Sequence, residues 1–440
     1  MEPQSKYQSI IQKLNYYNLV LIAFSLPFPR LFSLYLCVTW IILFLLGGRY
    51  RQRFARRKTE RGILFLFILF YLYHIAGLLY SSNTSMAWTD IILKLPFLFM
   101  PLILFISGSD LSRYKNKILT GFVAGNLTAS LLCLIAATFR SLFYFNGHWH
   151  FDAELMGHNY TFWQMLANGG NNFMYEALSI LIHPGYFSVF IVASIVIILD
   201  LLLHKKAGRT VIAKVLNILL IIFFCIMVYL LFARNGLISL FIVLLTYILY
   251  GTMRTQIRSV KFAMLAFIAI FTLSGIFLLS RNGRMKNSYY EIKRYIENPA
   301  SVSKDDDRLF IWGLSMDIIR HNLLIGVGTG DNKDELMKKY REKEMEEALK
   351  ARLNVHNQYL ETSIQLGVIG LAGLLGILVS SVIMAIRKRN LLLLMISFIT
   401  GLFLLFESAL NTQSGVFFFV FILSVLLFIP KEPERDAIFS

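Results

Sequence analysis

Runs of about 20 apolar residues recur along this chain, and short basic segments separate many of them. A hydrocarbon core about 30 Å thick is crossed by roughly 20 residues of α-helix. A helix suits that medium because it pairs its backbone groups within one segment. The runs fall at about 12–28, 31–47, 62–80, 89–106, 118–140, 182–203, 213–232, 236–251, 262–280, 357–386, 391–408 and 414–430. They predict an all-α integral membrane protein with about twelve transmembrane helices. The composition agrees, since 57% of residues are hydrophobic and only 16% charged, whereas a soluble domain carries about a quarter charged residues. The first run follows Lys6 and Lys13, lacks a small-residue cleavage site and leads into Pro27-Phe28-Pro29-Arg30. It reads as a retained helix, not a signal peptide.

Lys and Arg collect on the cytoplasmic side of short connections. The connection after the second run holds Arg49, Arg51, Arg53, Arg56, Arg57, Lys58 and Arg61, and every second connection after it is basic too, through Arg387, Lys388 and Arg389. This alternation predicts both termini in the cytoplasm of a bacterium and two long connections, 141–181 and 281–356, on the outer side of its inner membrane. The expected organisation is nine spans in 1–280, a large helical periplasmic loop at 281–356, and three spans with a short tail in 357–440. The net charge of +17 is explained by these loops and by anionic lipid heads, which argues against nucleic acid as a partner. Cys37, Cys133 and Cys225 each sit in a predicted span without motif spacing, so neither disulfides nor a zinc site is expected.

The first long connection is aromatic, with Phe143, Tyr144, Phe145 and Trp149 ahead of Asn168-Gly169-Gly170-Asn171-Asn172, and suits a loop in the interfacial belt. The second contains a highly charged helix whose thin apolar stripe is Met337, Arg341, Met345, Ala348 and Arg352; it reads as a lid or spacer. Before it, Asp305-Asp306-Asp307 precede a helix with Leu309, Trp312, Met316 and Ile319 on one face. The aspartates read as a cap complementing the helix dipole, not a metal site. Gly326-Val327-Gly328-Thr329-Gly330 reads as a turn.

Charge inside lipid is costly and usually functional. Lys94, Arg234, His356 and Glu407 all fall near the outer ends of their predicted spans, which suggests a cation-rich cavity open to the outer leaflet. With Arg308 in the first turn of its helix, where an anion is favoured, the set suits a lipid-linked diphosphate. A histidine beside it can take a proton near neutrality. The chemistry expected is group transfer without cofactor or metal: Arg234, Arg308 and Lys94 on the diphosphate, His356 as base, Asn357 and Glu407 in support. His183, in His183-Pro184-Gly185-Tyr186, reads as a proline-capped helix start or as a border of the acceptor groove.

These residues also resemble a known family. His356-Asn357-Gln358-Tyr359-Leu360-Glu361 followed by Gly367-Val368-Ile369-Gly370 is similar to the His-Asn and G-x-x-G motif of the O-antigen ligase/polymerase family. Arg308 with Trp312, His321 to Gly328, and Ala233-Arg234-Asn235-Gly236 resemble its further motifs, with Asn322 replacing the usual proline and Ala233 the usual serine. The resemblance implies a GT-C-like membrane fold and metal-independent, inverting glycan transfer. The donor would be an undecaprenyl-diphosphate-linked glycan and the acceptor lipid A-core or a growing glycan. Ligase, polymerase and protein O-oligosaccharyltransferase share this chemistry; the absence of a soluble domain after Pro430 argues against the last. A lipid-linked oligosaccharide flippase is the alternative from another class, but it should show an inverted repeat, and none is seen.

Overall fold

A chain segment that crosses hydrocarbon must pair every backbone group, so each break in a spanning helix needs a partner segment. The structure, a computed structural model, describes residues 6–48, 60–154, 170–203, 210–254 and 308–430, with positions 259 and 293 besides. The expected span 262–280 and Asp305, Asp306 and Asp307 lie outside the described residues. The chain forms two units, Met1–Gly125 with Ile311–Ser440, and Asn126–Phe310. Among the described residues eight helices are long and apolar enough to cross a membrane, and two shorter apolar ones follow them. The protein is an all-α multi-pass membrane protein.

The first unit contains α1 (Lys6–Ser25), α2 (Arg30–Gly47), α3 (Arg61–Leu78), α4 (Thr84–Lys94) and α5 (Pro96–Ser107). The start of α6 (Lys115–Ser141) belongs to it as well. The expected fourth span therefore starts earlier than the sequence suggested and is divided at Leu95-Pro96, because proline removes a helical N–H. The last helix of the unit, Gln413–Phe428, is apolar on all sides and buried from Gly415 to Phe428, as a helix at the centre of a bundle should be. Phe419 and Phe428 meet Phe67 of α3, with ring centroids 6.4 Å apart in both pairs. Lys115 closes that helix, its ammonium donating to the carbonyls of Leu426 and Ile429 at 3.1 and 2.5 Å.

The second unit packs α7 (Pro184–Leu203), α8 (Val211–Leu230) and α9 (Arg234–Arg254) together. Gly236 lets α9 approach α7 closely; a Cβ there would lie 2.3 Å from the Ser188 side chain. The aromatic connection begins as a hairpin, Leu142–Phe145 paired with His148–Phe151, where the sequence reading had a loop.

The remaining helices of the first unit are α10 (Arg308–His321), which belongs to it from Ile311 on, α11 (Asn332–Glu342), α12 (Glu346–Ala351), α13 (Gln358–Arg387), α14 (Leu391–Phe406) and α15, the Gln413–Phe428 helix. Three expectations are corrected here. The buried face of α10 is Ile311, Leu314, Ser315, Ile318 and Ile319, while Met316 is exposed. The charged helix is broken in two at Lys343–Met345, where Glu344 takes φ +59°, and its buried residues are Leu336, Met337, Tyr340, Met345 and Ala348 while Arg341 is exposed.

The third correction concerns α13, expected as one continuous span. It is interrupted at Gly367 (φ +63°, ψ −163°). The carbonyls of Ile364 and Gln365 accept instead from Val327 and Gly328 N–H at 2.8 and 3.0 Å, and Val368 and Ile369 N–H donate to Leu323 and Leu324 carbonyls at 2.8 and 3.5 Å. The glycine segment is thus more than a turn. It fills a gap in the helix ladder. A Cβ at Gly367 would lie 2.3 Å from Leu324 backbone, and one at Gly326 would lie 2.5 Å from Gln365 and Leu366 backbone. We expect Gly367→Ala to lower stability by more than about 2 kcal/mol, from left-handed strain plus overlap, read as a fall in thermal midpoint in detergent. Gly376→Ala in the same helix meets only the Leu66 methyls at 3.6 and 3.7 Å and should leave the midpoint nearly unchanged.

Candidate active site

Two helix ends of the first unit come together where α13 starts and α14 stops. The loop into α13 is fixed residue by residue. Trp312 Nε1 donates to the Val355 carbonyl at 2.9 Å, and His356 N–H donates to Asn354 Oδ1 at 3.0 Å. Asn357 caps the helix, its Oδ1 accepting from Tyr359 and Leu360 N–H at 3.0 and 3.2 Å; this satisfies donors that a helix start leaves free. Between these two asparagines His356 is held at φ +51°, a conformation costing about 1–2 kcal/mol for a residue with a Cβ.

That backbone directs the imidazole toward α14. His356 Nδ1 lies 3.3 Å from Glu407 Oε2, with the two side chains 27% and 12% exposed. Glu407 is the first residue past α14, in extended conformation (φ −143°, ψ 144°). The helix end turns its carboxylate back to the histidine. With Nδ1–H donated to Glu407, Nε2 keeps a free lone pair.

Three side chains of the first turn of α13 tie it to the chain around Glu407. Gln358 Oε1 accepts from Leu410 N–H at 2.7 Å. Tyr359 donates its hydroxyl to the Gly401 carbonyl at 2.8 Å. Glu361, 4% exposed, accepts from Ser408 Oγ at 3.1 Å and from Asn332 Nδ2 of α11 at 2.6 Å. Burial first, and then the Glu361 carboxylate, raise the Tyr340 hydroxyl, so it remains protonated and donates to the Leu353 carbonyl at 3.4 Å. Gln358 and Glu361 were missed in the sequence. Their signal was polar residues three apart opening an apolar span.

The other expected site residues are placed as follows. Lys94 is 1% exposed and its ammonium is bound by Asp90 one turn earlier, so its charge is already matched within the bundle. Arg234 and Arg308 are the first residues of α9 and α10, both half-buried. Asn235 anchors the start of α9, donating to the Gly185 carbonyl at 3.0 Å and accepting from Gly236 N–H at 2.9 Å. His183 accepts from Gly185 N–H through Nδ1 at 3.2 Å and lies 3.9 Å from Glu176. It serves as the cap of α7, with Pro184 as the first helical residue. The structure brings together His356, Asn357 and Glu407 of the expected set.

Residues 218–375 match a family model described as O-Antigen ligase. The match, over about a third of the chain, supports membership of the O-antigen ligase/polymerase family. No curated protein matches it. The matched segment includes Arg234, Arg308, His356, Asn357 and the Gly367 break, while Lys94, His183 and Glu407 lie outside it. The family carries out O-antigen ligase-type glycan transfer in general, on lipid-linked glycan and lipid A-core type substrates. Replacing Gln358 by Ala would leave the Leu410 N–H buried without its acceptor, which costs about 1–3 kcal/mol. Its thermal midpoint should fall, and an unchanged midpoint would show that the clamp carries no load.

Proposed function

We propose that this protein transfers a glycan from an undecaprenyl-diphosphate-linked donor to an acceptor hydroxyl at the periplasmic face of a bacterial inner membrane, with both of its termini in the cytoplasm. The observation that carries the reading is the His356–Glu407 pair, set on a strained loop between two helix ends. His356 Nε2 takes the proton of the acceptor hydroxyl as its oxygen attacks the anomeric carbon. The bond from that carbon to the diphosphate oxygen breaks with inversion, and undecaprenyl diphosphate leaves. Glu407 holds the imidazole in the required tautomer and stabilises the imidazolium that forms, as a carboxylate behind a histidine does.

Arg234 and Arg308 are assigned to the leaving diphosphate. Each begins a helix, where free N–H groups already favour an anion, and each guanidinium presents a bidentate fork. Lys94 is left out of this role because Asp90 already binds it. Two guanidinium groups supply positive charge of the kind a divalent cation would bring, so the transfer is metal-independent on this reading. The acceptor is lipid A-core for a ligase and a growing glycan for a polymerase. Deleting the gene separates the two on a gel of cellular glycans: carrier-linked polymer left untransferred marks a ligase, and single capped units mark a polymerase.

A positioned base contributes about 10²–10⁴-fold in rate, so His356→Ala should lose turnover of that order with donor binding retained. Glu407→Gln should lose less than Glu407→Ala, because an amide oxygen can still accept from Nδ1–H. Turnover of His356→Ala within threefold of the parent would overturn its role as base. Arg234→Lys and Arg308→Lys keep the charge but lose the fork, and each should lower turnover roughly tenfold or more, while a chelator should leave the parent enzyme unaffected. Loss with chelator, restored by Mg²⁺ or Mn²⁺, would sink the metal-free reading.

A further inference from the structure

The hairpin of the second unit has no counterpart in the chemistry above. It starts where α6 ends and contains no Asp, Glu, Lys or Arg between Arg140 and Asp152. Its register pairs Leu142 with Phe151, Phe143 with His150, Tyr144 with Trp149 and Phe145 with His148. Directly paired residues share a face and successive residues alternate. One face is therefore Leu142, Tyr144, Trp149 and Phe151, and the other is Phe143, Phe145, His148 and His150. Tyr144, Trp149 and Phe151 are 63%, 71% and 58% exposed.

Such a hairpin in water would normally turn one polar face outward. This one has no charged residue on either face. It is also firmly rooted. The Ser141 carbonyl accepts from Asp152 N–H at 2.8 Å, and the buried Ser141 hydroxyl is bonded by Asn172 Nδ2 at 3.1 Å. Asn146 and Gly147 form its turn at φ +51° and +83°, the tight left-handed type that matches strand twist. A rigid, uncharged, aromatic arm is thus held at the end of the membrane-spanning helix α6.

We propose that this arm is a membrane-interface anchor, lying flat at the boundary of lipid headgroups and acyl chains with its Leu142, Tyr144, Trp149 and Phe151 face toward the hydrocarbon. Depth is limited by the backbone, because a two-stranded sheet leaves unpaired N–H and C=O groups on both outer edges that hydrocarbon cannot satisfy. Orientation is limited by length. Four residues per strand reach about 14 Å, more than the roughly 5–8 Å of headgroup zone on each side of the hydrocarbon, so the arm lies along the surface. The choice of face follows from its polar atoms. Tyr and Trp favour the boundary, whereas the opposite face carries two imidazoles, with Phe143 stacked on His150 at 5.4 Å.

The test uses the full chain in vesicles of phosphatidylcholine brominated at the 6,7 or 11,12 acyl positions. The contribution of Trp149 is read as the difference in fluorescence between the parent and Trp149→Phe. It should be quenched roughly twofold more by the shallow bromines than by the deep ones, as for an interfacial ring, and be shielded from aqueous iodide. A tryptophan moved to the other face, Phe143→Trp in Trp149→Phe, should be quenched more by iodide than Trp149 is. Trp149 open to iodide and untouched by bromolipid would overturn the anchor, as would shielding from both, which means a protein or glycan covers the arm. Deeper quenching at position 143 than at 149 would overturn the assigned face.

Discussion

Peptide groups that lose a helical partner in an apolar medium must find another, and the break at Gly367 is where that requirement shapes the first unit. Two bonds of the helix ladder, Val368 to Ile364 and Ile369 to Gln365, are exchanged for four bonds to residues 323–328. Each unsatisfied group would cost several kcal/mol in hydrocarbon, so the helix and the segment beside it stand or fall together. Glycine is needed on both sides because the two backbones meet where a Cβ would sit. The inserted segment is in turn fixed to α3: Tyr80 donates its hydroxyl to the Ile325 carbonyl at 2.6 Å, and Thr329 Oγ1 donates to the His74 carbonyl at 2.7 Å. Burial, followed by the nearby Tyr73, pushes the Tyr80 hydroxyl up to about 12, so it stays a donor.

The break divides α13 into halves with different surroundings. Gln358, Glu361, Thr362, Ser363 and Gln365 are all buried before Gly367, whereas Val368, Ile369, Val379, Ile383 and Ile386 are exposed after it. Protein groups bond polar side chains in the first half: Gln365 Nε2 reaches the Thr329 carbonyl at 2.7 Å, although its Oε1 is buried without a partner, and Glu361 reaches both Ser408 and Asn332. Apolar side chains face outward in the second half, as lipid-facing residues should. The histidine therefore lies just ahead of the half whose polar side chains are bonded to protein.

The positions of most helices were legible, because a 20-residue apolar run has few other uses; among the described residues helices fall on eleven of the expected runs, ten of them apolar enough for a membrane, and 262–280 lies outside those residues. His356, Asn357 and Glu407 were legible as polar residues near the ends of spans. What was not legible depends on backbone geometry and long-range pairing. The run 357–386 is apolar enough to hide the break at Gly367, since the residues that repair it are about 40 positions away. Lys94 looked like a free cation because its partner Asp90 lies at the edge of the expected span, one helical turn earlier. The hairpin carried a readable Asn146-Gly147 turn signal, but the strands lack the apolar-polar alternation that normally accompanies it.

The conformation of His356 bears on why the pair is more than a surface contact. A residue with a Cβ persists in the left-handed region only where its surroundings over-determine it. Here they do: Asn354 bonds its N–H, Asn357 caps the next helix, and Trp312 holds the carbonyl just before it. A relaxed backbone at this position would release about 1–2 kcal/mol but would swing the side chain away from Glu407. The pair itself is only 3.3 Å long and partly exposed, and an exposed ion pair contributes about 0–1 kcal/mol. Stability alone does not account for holding a strained loop to keep so modest a contact. On the proposed reading, an imidazole with one nitrogen fixed and the other left open for a proton does.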